Sequence, residues 1–211
     1  MSHAVFYFPG TGSFGGEFST PTTPVKYPGR FGPHFGTPAD SFTEVVDSCA
    51  DQIRASQALH PLLVGHSYGA YVAYATAQRL RETGTEISTL AVAAAAAPTR
   101  LSVPEGVADS PEHTAEYLNA IDPDLLGSVP SPDWREIVTK AAMHDLRLLA
   151  EFTPPTTSLD SPVHAAVGSA DPVSEQSITD WKLTTDGPFA AHTFPGRHDE
   201  YLDAWLADLV S

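Results

Sequence analysis

Gly65-His66-Ser67-Tyr68-Gly69 places a serine inside a G-x-S-x-G pattern. A serine hydroxyl is a weak nucleophile alone and needs a base within hydrogen-bond reach, itself oriented by a carboxylate. Two later segments offer these partners. In Val167-Gly168-Ser169-Ala170-Asp171-Pro172 an aspartate leaves the end of an apolar run, and in Thr193-Phe194-Pro195-Gly196-Arg197-His198 a histidine does the same. The expected roles are Ser67 as nucleophile, His198 as base and Asp171 as the carboxylate that orients it. The backbone N–H groups of Thr11, in Pro9-Gly10-Thr11-Gly12-Ser13, and of Tyr68 are the expected donors to an oxyanion. The chain has nine histidines, so His198 has rivals for the role of base. His66 is expected to point away from the apex of the turn and to be structural. His192 sits within a strand, His3 and His34 lie early, and His113, His144 and His164 fall outside the motif loops. His144-Asp145 is a tempting pair, but adjacent helical residues face different directions. Asp160 precedes a strand and Asp180 lies in a helix-like segment, which makes both weaker acids for the role.

Elements must carry these residues to one place. The apolar run 62–65 reads as a strand and 70–81 as the helix after it, the strand–turn–helix context in which G-x-S-x-G signifies a nucleophile elbow. Further strands are expected at 4–8, 25–27, 87–97, 163–168 and 191–194. Apolar residues at helical spacing predict helices over 41–59 and 201–210. Alternating strands and helices predict an α/β fold with a mostly parallel central sheet flanked by helices. Parallel strands end on one edge, where Ser67, Asp171 and His198 would converge in the order Ser, Asp, His expected of an α/β-hydrolase. The proline-rich stretch 98–155 interrupts the alternation, with a helix of about five turns starting near Trp134. It reads as a helical lid insertion over about 99–155 within a single domain spanning 1–211.

Composition narrows the class. The chain of 211 residues is 42% hydrophobic and 18% charged, as expected of a globular protein. No apolar run approaches the ~20 residues of a membrane span. The segment 4–8 has no basic residues before it and is cut short by Pro9-Gly10, unlike a secretory leader. A net charge of −15 argues against nucleic acid and anionic membranes as partners. The lone cysteine, Cys49, cannot form an internal disulfide and is expected to be a small buried apolar residue, so a cytoplasmic location is expected.

The motifs taken together resemble the type II thioesterases that serve polyketide and nonribosomal peptide assembly. Phe8-Pro9-Gly10-Thr11-Gly12-Ser13 is similar to that family's opening loop, and Tyr27-Pro28-Gly29-Arg30 to its Y-P-G-R signature. Gly65-His66-Ser67-Tyr68-Gly69-Ala70, Asp145-Leu146-Arg147-Leu148-Leu149-Ala150, the Asp171 loop and the His198 loop also resemble family motifs. The resemblance implies an α/β-hydrolase fold and hydrolysis of an acyl group held as a thioester on an acyl or peptidyl carrier protein. It implies no metal or cofactor beyond the phosphopantetheine arm that the carrier brings. The chain departs from the family at Arg197, where a glycine is usual, at Asp199-Glu200, where aromatics are usual, and at Thr11, where alanine is common. An acyltransferase or cyclase, or a carboxylesterase, would use the same acyl-serine, and a non-catalytic binding protein would keep only the scaffold. Arg135, Lys140 and Arg147 in the insertion helix are the expected landing points for an acidic carrier.

Overall fold

The structure is a computed structural model that describes residues 4–123, 125–127 and 129–211. Its centre is a six-stranded sheet in the order β2-β1-β3-β4-β5-β6. The strands are β1 (Val5–Phe8), β2 (Thr23–Pro24), β3 (Leu62–His66), β4 (Thr89–Ala93), β5 (Val163–Gly168) and β6 (Phe189–Phe194). Every pairing is parallel. The helices are α1 (Phe42–Ala55), α2 (Tyr68–Glu82), α3 (Pro111–Ile121), α4 (Pro132–Ala150), α5 (Glu175–Thr179) and α6 (Leu202–Val210).

Side-chain alternation explains the layering. Phe6, Phe8, Leu63, Leu90 and Val92 face one side, where they join Val45, Val46, Ile53 and Tyr74 of α1 and α2. Val5, Tyr7, Leu62, Val64, Ala91 and Ala93 face the other, where Leu202, Trp205 and Leu206 of α6 cover them. A parallel sheet covered on both faces needs such near-continuous apolar strands.

Several boundaries differ from expectation. The second strand is Thr23–Pro24 rather than 25–27; Val25 still donates its N–H to Tyr7 O, but Tyr27 turns into the core. The alanine run ends as strand at Ala93, because Ala94 takes a left-handed φ of 52°. Within 99–155 a further helix, α3, stands beside the one expected near Trp134. Pro111 and Pro132 occupy first-turn positions after Ser110 and Ser131, whose hydroxyls accept the N–H groups of His113 and Trp134. Proline there costs no hydrogen bond, because the first amides of a helix have no partner within it.

Candidate active site

The strand order reverses between β1 and β3, since the chain goes from β1 to one side for β2 and then back to the other for β3. The crevice beyond the carboxyl ends of strands at such a switch is where open α/β sheets bind ligands. Both the Pro9–Ser13 loop and Ser67 leave the sheet here, from paired residues Phe8 and Gly65.

Ser67 caps the N-terminus of α2 with φ 53° and ψ −121°, a sparsely populated conformation for a residue with a side chain. The strain sits on the serine itself, while the flanking glycines serve by lacking a Cβ. A Cβ on Gly65 would lie 2.4 Å from Gly69 O, and one on Gly69 would lie 2.1 Å from Phe8 O. Strand, turn and helix thus pack against each other and against β1 at a distance no other residue permits. Ser67 N–H donates to Ala93 O at 2.8 Å, tying the turn to β4.

The Asp171 and His198 loops are laced together by the backbone. Ser169 N–H donates to Phe194 O at 2.7 Å and Ala170 N–H to Gly196 O at 2.9 Å. A Cβ on Gly168 would meet Arg197 O at 2.3 Å, so the loops touch main chain to main chain. In that setting His198 Nδ1 lies 2.7 Å from Asp171 Oδ2, while Asp171 Oδ1 accepts Val173 N–H at 2.7 Å. A carboxylate on that side favours the Nδ1–H tautomer and leaves a lone pair on Nε2.

His66 supports this loop from below. Its Nε2–H donates to His198 O at 3.1 Å, and the two rings meet edge to face at 4.7 Å between centroids. Burial, and then the neighbouring His198, push its pKa down to about 3. His66 is therefore a neutral structural donor, as its place inside the motif led us to expect.

Ser67 and His198 line one cleft of about 260 Å³, together with Gly10 and Thr11. Tyr68 N–H lies in the first turn of α2, where an amide has no partner within its own helix. Thr11 stands between Gly10 and Gly12 on the rim of the same cleft. A second cavity of about 520 Å³ shares Thr11, Asp122 and Asp199 with the first and runs toward Trp134 and Val138 of α4. The cleft wall is acidic: Glu17, Asp122, Asp199, Glu200 and Asp203 line it. Burial and the nearby Asp122 push the Asp199 carboxyl above the usual carboxylate range.

Several of the rival residues have other employment. Asp160 pairs with Arg81 at 2.9 Å and Asp180 with Arg100 at 2.7 Å. His164 and His192 stack on each other between β5 and β6, and His3 lies outside the described residues. Of the cations expected to meet a partner, Arg135 donates to Leu126 O and Arg147 to Ala108 O, so both brace the insertion from within. Lys140 pairs with Glu136 at 2.6 Å on an exposed face. Sequence reasoning missed the use of Arg30 and Asp145, which form a buried ion pair under the Thr11 loop. Their presence in separate motifs was the available signal.

Comparison with known proteins agrees in kind. The thioesterase-domain family profile matches residues 13–209. Thioesterase TesA of Mycobacterium marinum is 25% identical over 217 residues, which cover 97% of this chain and 82% of TesA. Phenyloxazoline synthase MbtB of Mycobacterium tuberculosis is 29% identical over 162 residues, 71% of this chain, and the match spans only 11% of that longer protein. Among solved structures, the type II thioesterase BorB from the borrelidin biosynthetic cluster superposes with a TM-score of 0.79 at 26% identity, covering 99% of this chain and 90% of BorB.

Proposed function

The chain belongs to the thioesterase-domain family, and from that premise we propose that it hydrolyses thioesters and that its substrate is an acyl group on the phosphopantetheine arm of an acyl or peptidyl carrier protein, within polyketide or nonribosomal peptide biosynthesis. The observation that carries the mechanism is the 2.7 Å contact of His198 Nδ1 with Asp171, made beside the strained Ser67 in a shared cleft.

In this reading His198 Nε2 takes the Ser67 proton as Oγ attacks the thioester carbonyl. The carbonyl oxygen becomes an oxyanion held by Thr11 N–H and Tyr68 N–H. Collapse of the tetrahedral intermediate breaks the C–S bond, and the carrier thiolate leaves with the proton from His198. Water, deprotonated by His198, then attacks the acyl-serine and restores Ser67 with release of the free acid. Asp171 holds the imidazole in its working tautomer and stabilises its cation. The chain supplies nucleophile, base and donors, and the phosphopantetheine arm arrives with the carrier. The segment 99–155 acts as a lid: α3 lends Leu118 and Ile121 to the cleft wall, while Leu148 and Leu149 of α4 root it in the core.

The test is incubation with carrier proteins loaded with short acyl, aminoacyl and longer chains, with free acid followed by mass spectrometry. Free acid should form, Ser67→Ala should abolish it, and a fluorophosphonate should add to Ser67 alone. Undiminished hydrolysis by Ser67→Ala would remove the mechanism. Release of ester or amide in place of acid would assign an acyltransferase.

A further inference from the structure

The mechanism above leaves Tyr27-Pro28-Gly29-Arg30 and Asp145 without a task, although Tyr27, Arg30 and Asp145 are buried against the Pro9–Ser13 loop. Gly29 has φ 78°, and a Cβ there would lie 2.7 Å from Thr37 O, so the turn that sends Arg30 inward admits only glycine. From this turn the side chains reach the Pro9–Ser13 loop at successive points. Tyr27 OH donates to Pro9 O at 2.9 Å. Arg30 donates through Nη1 to Ser13 O and through Nη2 to Asp145 Oδ2. Asp145 Oδ2 also accepts Gly12 N–H at 2.8 Å. The guanidinium lies over the Tyr27 ring, 4.8 Å from its centroid. Gly12 is pressed onto α4, since a Cβ there would lie 2.8 Å from Val138 O. Thr11 is thus the residue held between fastened neighbours, with its amide not claimed by any of these contacts.

We propose that Tyr27, Arg30 and Asp145 are positioning residues that set the Thr11 amide for the oxyanion and make its placement depend on where α4 sits. The inference rests on the proposed role of Thr11 in thioester hydrolysis. Because Asp145 belongs to α4 and Arg30 to the early loop, a displacement of the insertion would pull Gly12, and with it Thr11, away from Ser67. Acyl-group chemistry would then be competent only with the insertion seated.

The experiment uses Tyr27→Phe, Arg30→Lys and Asp145→Asn in the full chain. Each is assayed with an N-acetylcysteamine thioester, with kcat normalised to serine titrated by a fluorophosphonate. A trifluoromethyl ketone serves as the oxyanion-forming inhibitor. A donor displaced by about 1 Å costs on the order of a hundredfold in rate. The expected result is a kcat lowered on the order of tenfold to a hundredfold for Arg30→Lys and Asp145→Asn, and less for Tyr27→Phe. KM should stay within about twofold, and the inhibition constant should rise in parallel with the loss in kcat. A purely structural role would lower the titratable fraction and leave kcat per serine and inhibitor affinity as in the parent. That outcome for Tyr27→Phe and Arg30→Lys overturns the inference, even if Asp145→Asn fails to fold. A parent enzyme whose Ser67 does not react would instead overturn the underlying mechanism.

Discussion

Asp171 is the acid whose environment matches the work required of it. Both its oxygens are engaged, one by the imidazole and one by Val173 N–H, so the carboxylate is held in a single orientation. Asp171→Asn keeps the shape but lets the amide favour the wrong imidazole tautomer. Turnover should fall about 10⁴-fold, with KM little changed and the thermal unfolding midpoint within a few degrees of the parent. Steady-state kinetics on a small thioester measures this; a loss under tenfold would remove Asp171 from the relay. His66 makes a different prediction because its folded pKa is depressed to about 3 by burial and by His198. The unfolded chain binds a proton near pH 6.5 that the folded chain refuses, so stability is full above pH 6.5 and declines as pH falls toward 3. Between pH 7 and pH 5 the His66 contribution should drop by about 2 kcal/mol. Urea unfolding at both pH values, compared with His66→Gln, isolates it: the variant should show a shallower loss.

At the scale of elements, the site depends on contacts between pieces of main chain. The elbow of β3 and α2 lies against β1 through Gly65 and Gly69, and the β5 loop lies against the β6 loop through Gly168. Such approaches leave no room for adjustment, since what a new Cβ meets is a carbonyl rather than a flexible side chain. Gly69→Ala would place a methyl 2.1 Å from Phe8 O and must push α2 away from β1. It should destabilise the protein by roughly 3 kcal/mol, at the upper end of what overpacking costs. It should also lower fluorophosphonate labelling of the remaining folded enzyme, because the Tyr68 amide moves with α2. Urea titration and labelling rate check the two parts separately. The insertion is joined differently: α3 and α4 share a small apolar cluster of Leu118, Leu126 and Ala142. The buried Arg30–Asp145 pair then links α4 to the early loop.

For the molecule as a whole, charge is the dominant feature. A net −15 is carried up to the mouth of the cleft by Glu17, Asp199, Glu200 and Asp203. Asp199 and Glu200 put negative potential on this wall. Such a wall disfavours an anionic acyl group close to the scissile carbonyl. With charges about 6 Å apart across the open, water-filled cleft mouth, where the dielectric is that of bulk water, removing one carboxylate is worth roughly 0.7 kcal/mol, about threefold. Asp199→Asn should therefore raise kcat/KM for a succinyl thioester about threefold relative to a butyryl thioester. The gain should shrink in high salt, where screening already weakens the repulsion. Equal changes for both substrates would show that Asp199 acts through packing.

How much of this was readable beforehand depends on the range over which each feature is decided. Parallel strands, their flanking helices and the elbow follow from local composition and periodicity, which the chain carries within a few residues of each element. The loops bearing Asp171 and His198 were also legible, because motif and strand end coincide in each. What local sequence could not decide was which side chains meet across the fold. Arg30 and Asp145 lie in separate motifs, and their pairing beneath Gly12 exists only once α4 has been laid over the early loop. The carbonyls that Arg135 and Arg147 hold are also within reach only once the insertion has folded on itself. The strain at Ser67 and the need for glycine at its flanks likewise belong to the packing of α2 on β1. Pattern within a segment records its own backbone preference and its buried face, whereas partners distant in the chain are chosen by how segments pack, and that choice appears only in three dimensions.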